Sequence, residues 1–156
     1  MWRLWKRRDS AMESIARAMN DGKSHYDAGQ FPAAAADFAA AAAAIEALPK
    51  RPELLDDTLL SVLFAQGGAD ARGGDARRAI QTFARVADAR ERRGDTRDAA
   101  LAWEAAAQVA AEIGSLGEAE TLARRALAAA RTGGGAEVSR VQTLLDQVLE
   151  IRERSG

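Results

Sequence analysis

The side chains that could act in catalysis are few in this chain, and they do not form a recognisable set. His25 is the single histidine; it lies beside Tyr26 and Asp27, and the chain has no cysteine. A nucleophile needs a partner base, and a metal site needs further ligands, so an isolated histidine supplies neither. We therefore interpret His25 as a structural residue and predict no catalytic residues, no metal site and no cofactor.

Two other patterns could suggest chemistry, but neither has the context that its chemistry needs. Asp21-Gly22-Lys23-Ser24 resembles the end of a phosphate-binding loop, yet Arg17 stands where that loop needs a glycine, and no strand precedes it. Neighbouring carboxylates occur at Asp56-Asp57 and at Glu118 with Glu120, without a predicted cleft around them. We predict that the protein is not an enzyme.

Composition narrows the remaining classes of function. Hydrophobic residues, many of them alanine, make up 47% of the chain, and a formal net charge of −1 gives no basic excess for binding nucleic acid. The sequence contains no run of 18 or more apolar residues, as a membrane span would require. The basic start does not lead into an apolar signal segment, so we expect a cytoplasmic protein.

Helix signals recur about every 20 residues along the chain. Asp9 or Ser10 could cap the first helix, Pro32 suits a first helical turn, and Pro49 with Pro52 should close one helix and open the next. The predicted helices cover approximately residues 9–28, 32–47, 53–70, 75–92, 96–113, 116–131 and 136–153.

A short pattern begins at each of three glycines, Gly29, Gly74 and Gly114. An alanine follows five residues later each time, and a small residue lies seven residues before; these are Ala34, Ala79 and Ala119, and Gly22, Gly67 and Ala107. A glycine with positive φ can end one helix, and a small side chain lets the next helix approach closely. The pattern predicts helical hairpins that stack on copies of themselves.

These residues resemble the tetratricopeptide repeat family. The stretch from Gly114 to Leu127 is similar to the second helix of that repeat, and Trp103 matches the large aromatic residue of the preceding helix. Successive glycines are 45 and then 40 residues apart, whereas the family repeat has about 34 residues. The chain therefore resembles the longer-helix variety of the family.

The resemblance implies an all-α, right-handed helical-hairpin solenoid of seven antiparallel helices. Residues 1–8 would form a basic N-terminal segment, residues 9–133 three repeat-like hairpins, and residues 136–154 a C-terminal capping helix.

The resemblance also implies a non-catalytic adaptor that binds a peptide, helix or domain of a partner protein in a concave groove. Candidate groove residues lie on the first helix of each unit: Met19, Lys23, Tyr26, Phe64, Arg72, Glu104, Gln108 and Glu112. The alternative for each is an ordinary solvated helix residue. A clamp for a C-terminal carboxylate is not expected, because Met19 and Lys23 occupy the positions where the family's clamp has lysine and asparagine.

The N-terminal segment leaves several possibilities open. Trp5, Met12, Met19 and Tyr26 recur every seven residues, so this segment could extend the first helix and pack on the array or on a second copy. It could also be a disordered tail or, less favoured, lie on an anionic membrane through residues 2–8. The alternative function is accordingly a structural homo-oligomer that assembles through its solenoid ends or its N-terminal tryptophans.

Overall fold

A computed structural model describes residues 2–156, with side chains from Lys6 onward. Seven helices account for all of its regular secondary structure and confirm the all-α prediction; the described residues include no strand. The helices are α1 (Trp2–Asp27), α2 (Phe31–Glu46), α3 (Glu53–Arg72), α4 (Ala76–Arg92), α5 (Thr96–Glu112), α6 (Leu116–Thr132) and α7 (Val138–Ser155). None of them is both long and apolar enough to cross a membrane.

The first helix differs most from its predicted bounds, whereas the other six begin and end within two residues of theirs. α1 begins at Trp2, so Asp9 and Ser10 lie inside the helix and do not cap it. The backbone of residues 2–8 thus extends the first helix, while the side chains of Trp2 and Trp5 lie outside the described residues. α3 includes Gly67-Gly68, as its predicted range does, and ends at Arg72, two residues later than predicted. Burial of the apolar residues around the glycine pair outweighs the cost of about 1 kcal/mol for each helical glycine.

Glycine ends several helices through the same hydrogen-bonded turn. Gly29, Gly94 and Gly114 have φ of 74°, 79° and 75°, in the left-handed region. The amide after each glycine donates to the carbonyl five residues earlier; these bonds run from Gln30 to His25 (2.8 Å), Asp95 to Arg90 (2.9 Å) and Ser115 to Ala110 (2.8 Å). This is the Schellman arrangement, and it reverses the chain within about three residues.

The chain divides into two compact units, and the division falls after Gly74. In the first unit α1 packs against α2 and α2 against α3. The packing is close: a Cβ added at Gly22 of α1 would lie 2.8 Å from the ring of Phe38 on α2. Ala34 and Ala41 of α2 are completely buried. Small side chains therefore set the distance between α1 and α2.

The second unit, residues 75–156, is more regular. Its helices α4, α5 and α6 each contain 17 residues and begin at intervals of 20 residues. Consecutive helices pack against each other from α4 to α7. Trp103 of α5 is 1% exposed and is the largest fully buried side chain of the unit, while Ala79 and Ala119 are completely buried. The alanines that follow Gly74 and Gly114 by five residues in the repeated pattern are thus core residues.

Candidate functional site

A surface pocket of about 220 Å³ lies within the first unit. All three helices of the unit contribute to its lining, which consists of Lys23, Tyr26, Phe38, Phe64, Ala65 and Gly68. Three of the predicted groove residues, Lys23, Tyr26 and Phe64, are therefore brought together.

Small residues on α3 and a buried ring on α2 shape the pocket. Gly68 has no heavy atom within 4 Å of the position of an added Cβ. Phe38 is 8% exposed, since its ring packs against Gly22, whereas Phe64 is 39% exposed. The lining is thus aromatic, partly accessible and widened by the missing side chain of Gly68.

Lys23 is the one charged residue of this lining. Its Nζ donates a hydrogen bond of 2.8 Å to Oδ2 of Asp27, one helical turn away, and both side chains are well exposed. The hydrogen bond to Asp27 raises the pKa of Lys23, and the charge of Asp27 acts in the same direction. The ammonium group therefore remains protonated at neutral pH.

A second cation, Arg72, lies next to the pocket because it contacts Tyr26 of the lining. The guanidinium carbon of Arg72 is 5.9 Å from the ring centroid of Tyr26 and 5.6 Å from that of Phe31. The two rings meet edge to face, with their centroids 5.2 Å apart. Arg72 is thus held over aromatic rings by cation–π contacts and is exposed beside the pocket.

His25 and Met19 lie on the same helix but outside the pocket lining. Nδ1 of His25 is 2.5 Å from Oδ2 of Asp37, a contact that joins α1 to α2. Met19 is half-buried, one turn before Lys23. In the part of the chain that the structure describes, no group of three or more His, Asp or Glu side chains could hold a metal ion.

Sequence reasoning missed three lining residues, Phe38, Ala65 and Gly68. All three lie inside the predicted helices 32–47 and 53–70, but none of them was a predicted groove residue. A helical glycine three or four residues after an exposed aromatic residue could have indicated a recess, because both positions then lie on one face.

The predicted groove residues of α5 have a different environment. Glu104 is 5% exposed, and its carboxylate accepts two hydrogen bonds from Arg140 of α7, from Nε at 2.8 Å and from the terminal nitrogen at 2.7 Å. Arg140 of α7 therefore covers the carboxylate of Glu104, a predicted groove residue. Gln108 and Glu112 are exposed on the same helix.

A second contact of the same kind joins Glu137, the residue before α7, to the start of α5. Nε of Arg97 donates to Oε1 of Glu137 at 2.9 Å, and Glu137 is 6% exposed. The hydrogen bonds to Glu104 raise the pKa of Arg140 further above its usual value. Two nearly buried carboxylates, Glu104 on α5 and Glu137 just before α7, thus each accept a hydrogen bond from an arginine.

Trp103 connects three helices of the second unit. Its indole Nε1 donates to Oε1 of Glu91 on α4 at 2.7 Å, and the guanidinium carbon of Arg125 on α6 is 3.9 Å from the ring centroid. Arg125 also donates to Asp88 of α4 at 3.3 Å. The aromatic residue that the resemblance placed on this helix is therefore a core residue, and it does not line an open site.

No protein-family model matches the sequence, and no match is found among curated proteins. Function is therefore inferred from the side chains of the pocket and from those of α5 and α7.

Proposed function

We propose that the chain is a non-catalytic interaction module, similar to the tetratricopeptide repeat proteins, that binds a peptide or helix of a partner protein at the pocket of the first unit. The observation that carries the proposal is the meeting of Lys23, Tyr26 and Phe64 around one partly open aromatic recess. Aromatic residues that remain accessible in a recess are frequent anchors of protein binding.

The size of the pocket supports a side chain as its occupant. Sites for small molecules and cofactors usually enclose about 300–1,000 Å³. The pocket of this unit, at about 220 Å³, is smaller and partly open to solvent. It suits one or two side chains that project from a partner, as when an amphipathic helix or an extended peptide places anchors into a groove.

Photo-crosslinking tests this proposal at the residue level. We would replace Lys23 by p-benzoylphenylalanine and, as the control, Arg131, which is exposed on α6. After irradiation in the native host, we expect position 23 to give a distinct adduct with one protein, identified by mass spectrometry, and position 131 to give none with that protein. Equal adducts from both positions, or none from position 23, would contradict the proposal.

A structural homo-oligomer is the second candidate, and exposed apolar side chains favour it. Leu54 at the start of α3 is 76% exposed, and Ile151 near the end of α7 is 48% exposed. Burial of such groups between copies would stabilise an assembly. Sedimentation of the full chain, of Leu54→Glu and of a chain without residues 1–8 tests it. An oligomer that dissociates on either change would support this candidate, and a monomer at every concentration would exclude it.

A further inference from the structure

We infer that the pocket of the first unit binds a large apolar side chain from an acidic segment of a partner protein, with a carboxylate of that segment beside Lys23. This inference rests on the proposed function and specifies the chemistry of the partner.

The apolar part of the inference follows from the shape of the pocket. Tyr26, Phe38 and Phe64 supply ring surface from three helices, and Gly68 leaves open space between them. A phenylalanine or leucine side chain in this space would remove its own surface and part of Phe64 from water. Such burial is the main source of favourable free energy at an interface anchor.

The acidic part follows from charge. Lys23 is the only charged residue in the lining, and Arg72 lies against the ring of Tyr26 just outside it. Asp27 offsets part of the charge of Lys23, but both members of this pair are exposed, so a ligand carboxylate can share the ammonium group. The net charge of Lys23, Asp27 and Arg72 at the pocket edge is therefore positive.

A cationic ligand is the alternative that the three rings would otherwise suggest, because aromatic cages bind ammonium groups. Here the ammonium group of Lys23 belongs to the same lining and would repel a second cation. The carboxylate of Asp27, which could have attracted one, already accepts a hydrogen bond from Lys23. The observed charges therefore favour an anionic partner.

Three small probes of equal size separate these cases on the full chain. They are 3-phenylpropanoate, 3-phenylpropanamide and 3-phenylpropylamine, which share the aromatic group and differ in charge. In ¹H–¹⁵N spectra we expect 3-phenylpropanoate to shift the amides of Ala65 and Gly68 with a dissociation constant in the millimolar range. We expect the amide to bind about two- to fivefold more weakly and the amine more weakly still, with the difference shrinking at high salt.

Two pairs of variants test whether the probes bind in this pocket and whether Lys23 causes the preference for the acid. Gly68→Leu fills the recess from a helical position where a Cβ meets open space, so the fold should persist and the probe should no longer bind. Gly117→Leu is the matched control, since Gly117 is also helical with open space around its Cβ and does not line the pocket. Lys23→Gln should make the acid and the amide bind equally, whereas Lys50→Gln should leave their difference unchanged.

The inference is overturned if the amine binds as well as the acid, if the shifts lie away from Ala65 and Gly68, or if no probe binds. Failure of the probes differs from failure of the proposed function. If the probes fail but a partner crosslinks at position 23 and no longer does so in Gly68→Leu, the proposed function stands and only the acidic specificity is rejected.

Discussion

The two units differ in how they fill the space between one helix and the second helix after it along the chain. In the first unit, residues of α1 and α3 leave an open recess, with Phe64 39% exposed. In the second unit, Glu104 occupies the position of α5 that corresponds to Phe64 in the repeated pattern, three residues before the small residue. Arg140 of α7 covers the carboxylate of Glu104 and donates two hydrogen bonds to it.

The difference shows that the repeated pattern specifies helix packing and leaves the character of the groove to a few variable side chains. Small residues recur at the helix contacts of both units, as at Gly22 and Ala107. An aromatic residue one helical turn from a glycine leaves a pocket, as at Phe64 and Gly68, whereas a carboxylate that faces an arginine fills the space with an ion pair. Binding is therefore expected of the first unit, and the second is expected to contribute stability.

Removal of Trp103 should have the largest effect, because it deletes the core residue that joins α4, α5 and α6. We expect Trp103→Ala to lower the free energy of unfolding by about 3–5 kcal/mol. Trp103→Phe keeps much of the apolar volume and loses the hydrogen bond to Glu91, so it should cost less. Chemical denaturation compares the two, and equal losses would contradict a packing role for the ring.

Separation of Arg140 from Glu104 should have the next largest effect. Arg140→Leu leaves a nearly buried carboxylate without its partner, and we expect a loss of about 2 kcal/mol, between the values for exposed and buried pairs. The double variant Glu104→Leu with Arg140→Leu should recover much of this loss. If the double variant loses as much free energy of unfolding as the two single variants together, the ion pair of Glu104 and Arg140 does not fill the space between α5 and α7.

Substitutions of two helical glycines, Gly22 and Gly68, test how closely the helices of the first unit pack. Gly22→Ala places a methyl group 2.8 Å from the ring of Phe38, and we expect a destabilisation of about 1–2 kcal/mol from overpacking. Gly68→Ala meets open space and should stabilise the chain by about 1 kcal/mol through helix propensity. Thermal unfolding of both variants is the measurement; a shift of the same sign in both would contradict the packing at Gly22.

The smallest expected change in stability comes from protonation of Glu120 in the second unit at low pH. Hydrogen bonds from Arg124 and Arg152 lower the pKa of Glu120. A carboxylate with a lowered pKa stabilises the folded state above its unfolded pKa, and this contribution is lost as the pH falls through the folded pKa. Glu120→Gln should therefore be less stable than the unchanged chain near pH 7 and equally stable near pH 2. Denaturation at several pH values measures this difference, and a constant difference would contradict it.

The sequence predicted helix bounds well and the site only in part. Helix ends at Gly29 and Gly114, and the break between Pro49 and Pro52, follow from local backbone preferences, so they could be recognised directly. The long start of α1 at Trp2 depends on the balance of helix propensity and packing along that helix. Spacing alone does not specify that balance.

Site residues were harder to predict because the contacts that open or close a recess come from distant parts of the chain. Lys23, Tyr26 and Phe64 shared a predicted face and do meet at the pocket. The closure of Glu104 depends on Arg140, which is 36 residues away on α7, and the sequence pattern gave no sign of this pairing. Long-range charge pairing, unlike the period of small residues, has no local signature.

The most direct test of the account measures the affinity of the partner that crosslinks at position 23. Isothermal titration calorimetry would compare the unchanged chain, Gly68→Leu and Gly117→Leu. We predict that filling the pocket in Gly68→Leu weakens binding by a factor of about 10 or more, because one anchor is lost, while Gly117→Leu binds as the unchanged chain does. Equal affinity for all three chains would show that the partner binds elsewhere and would contradict the central claim.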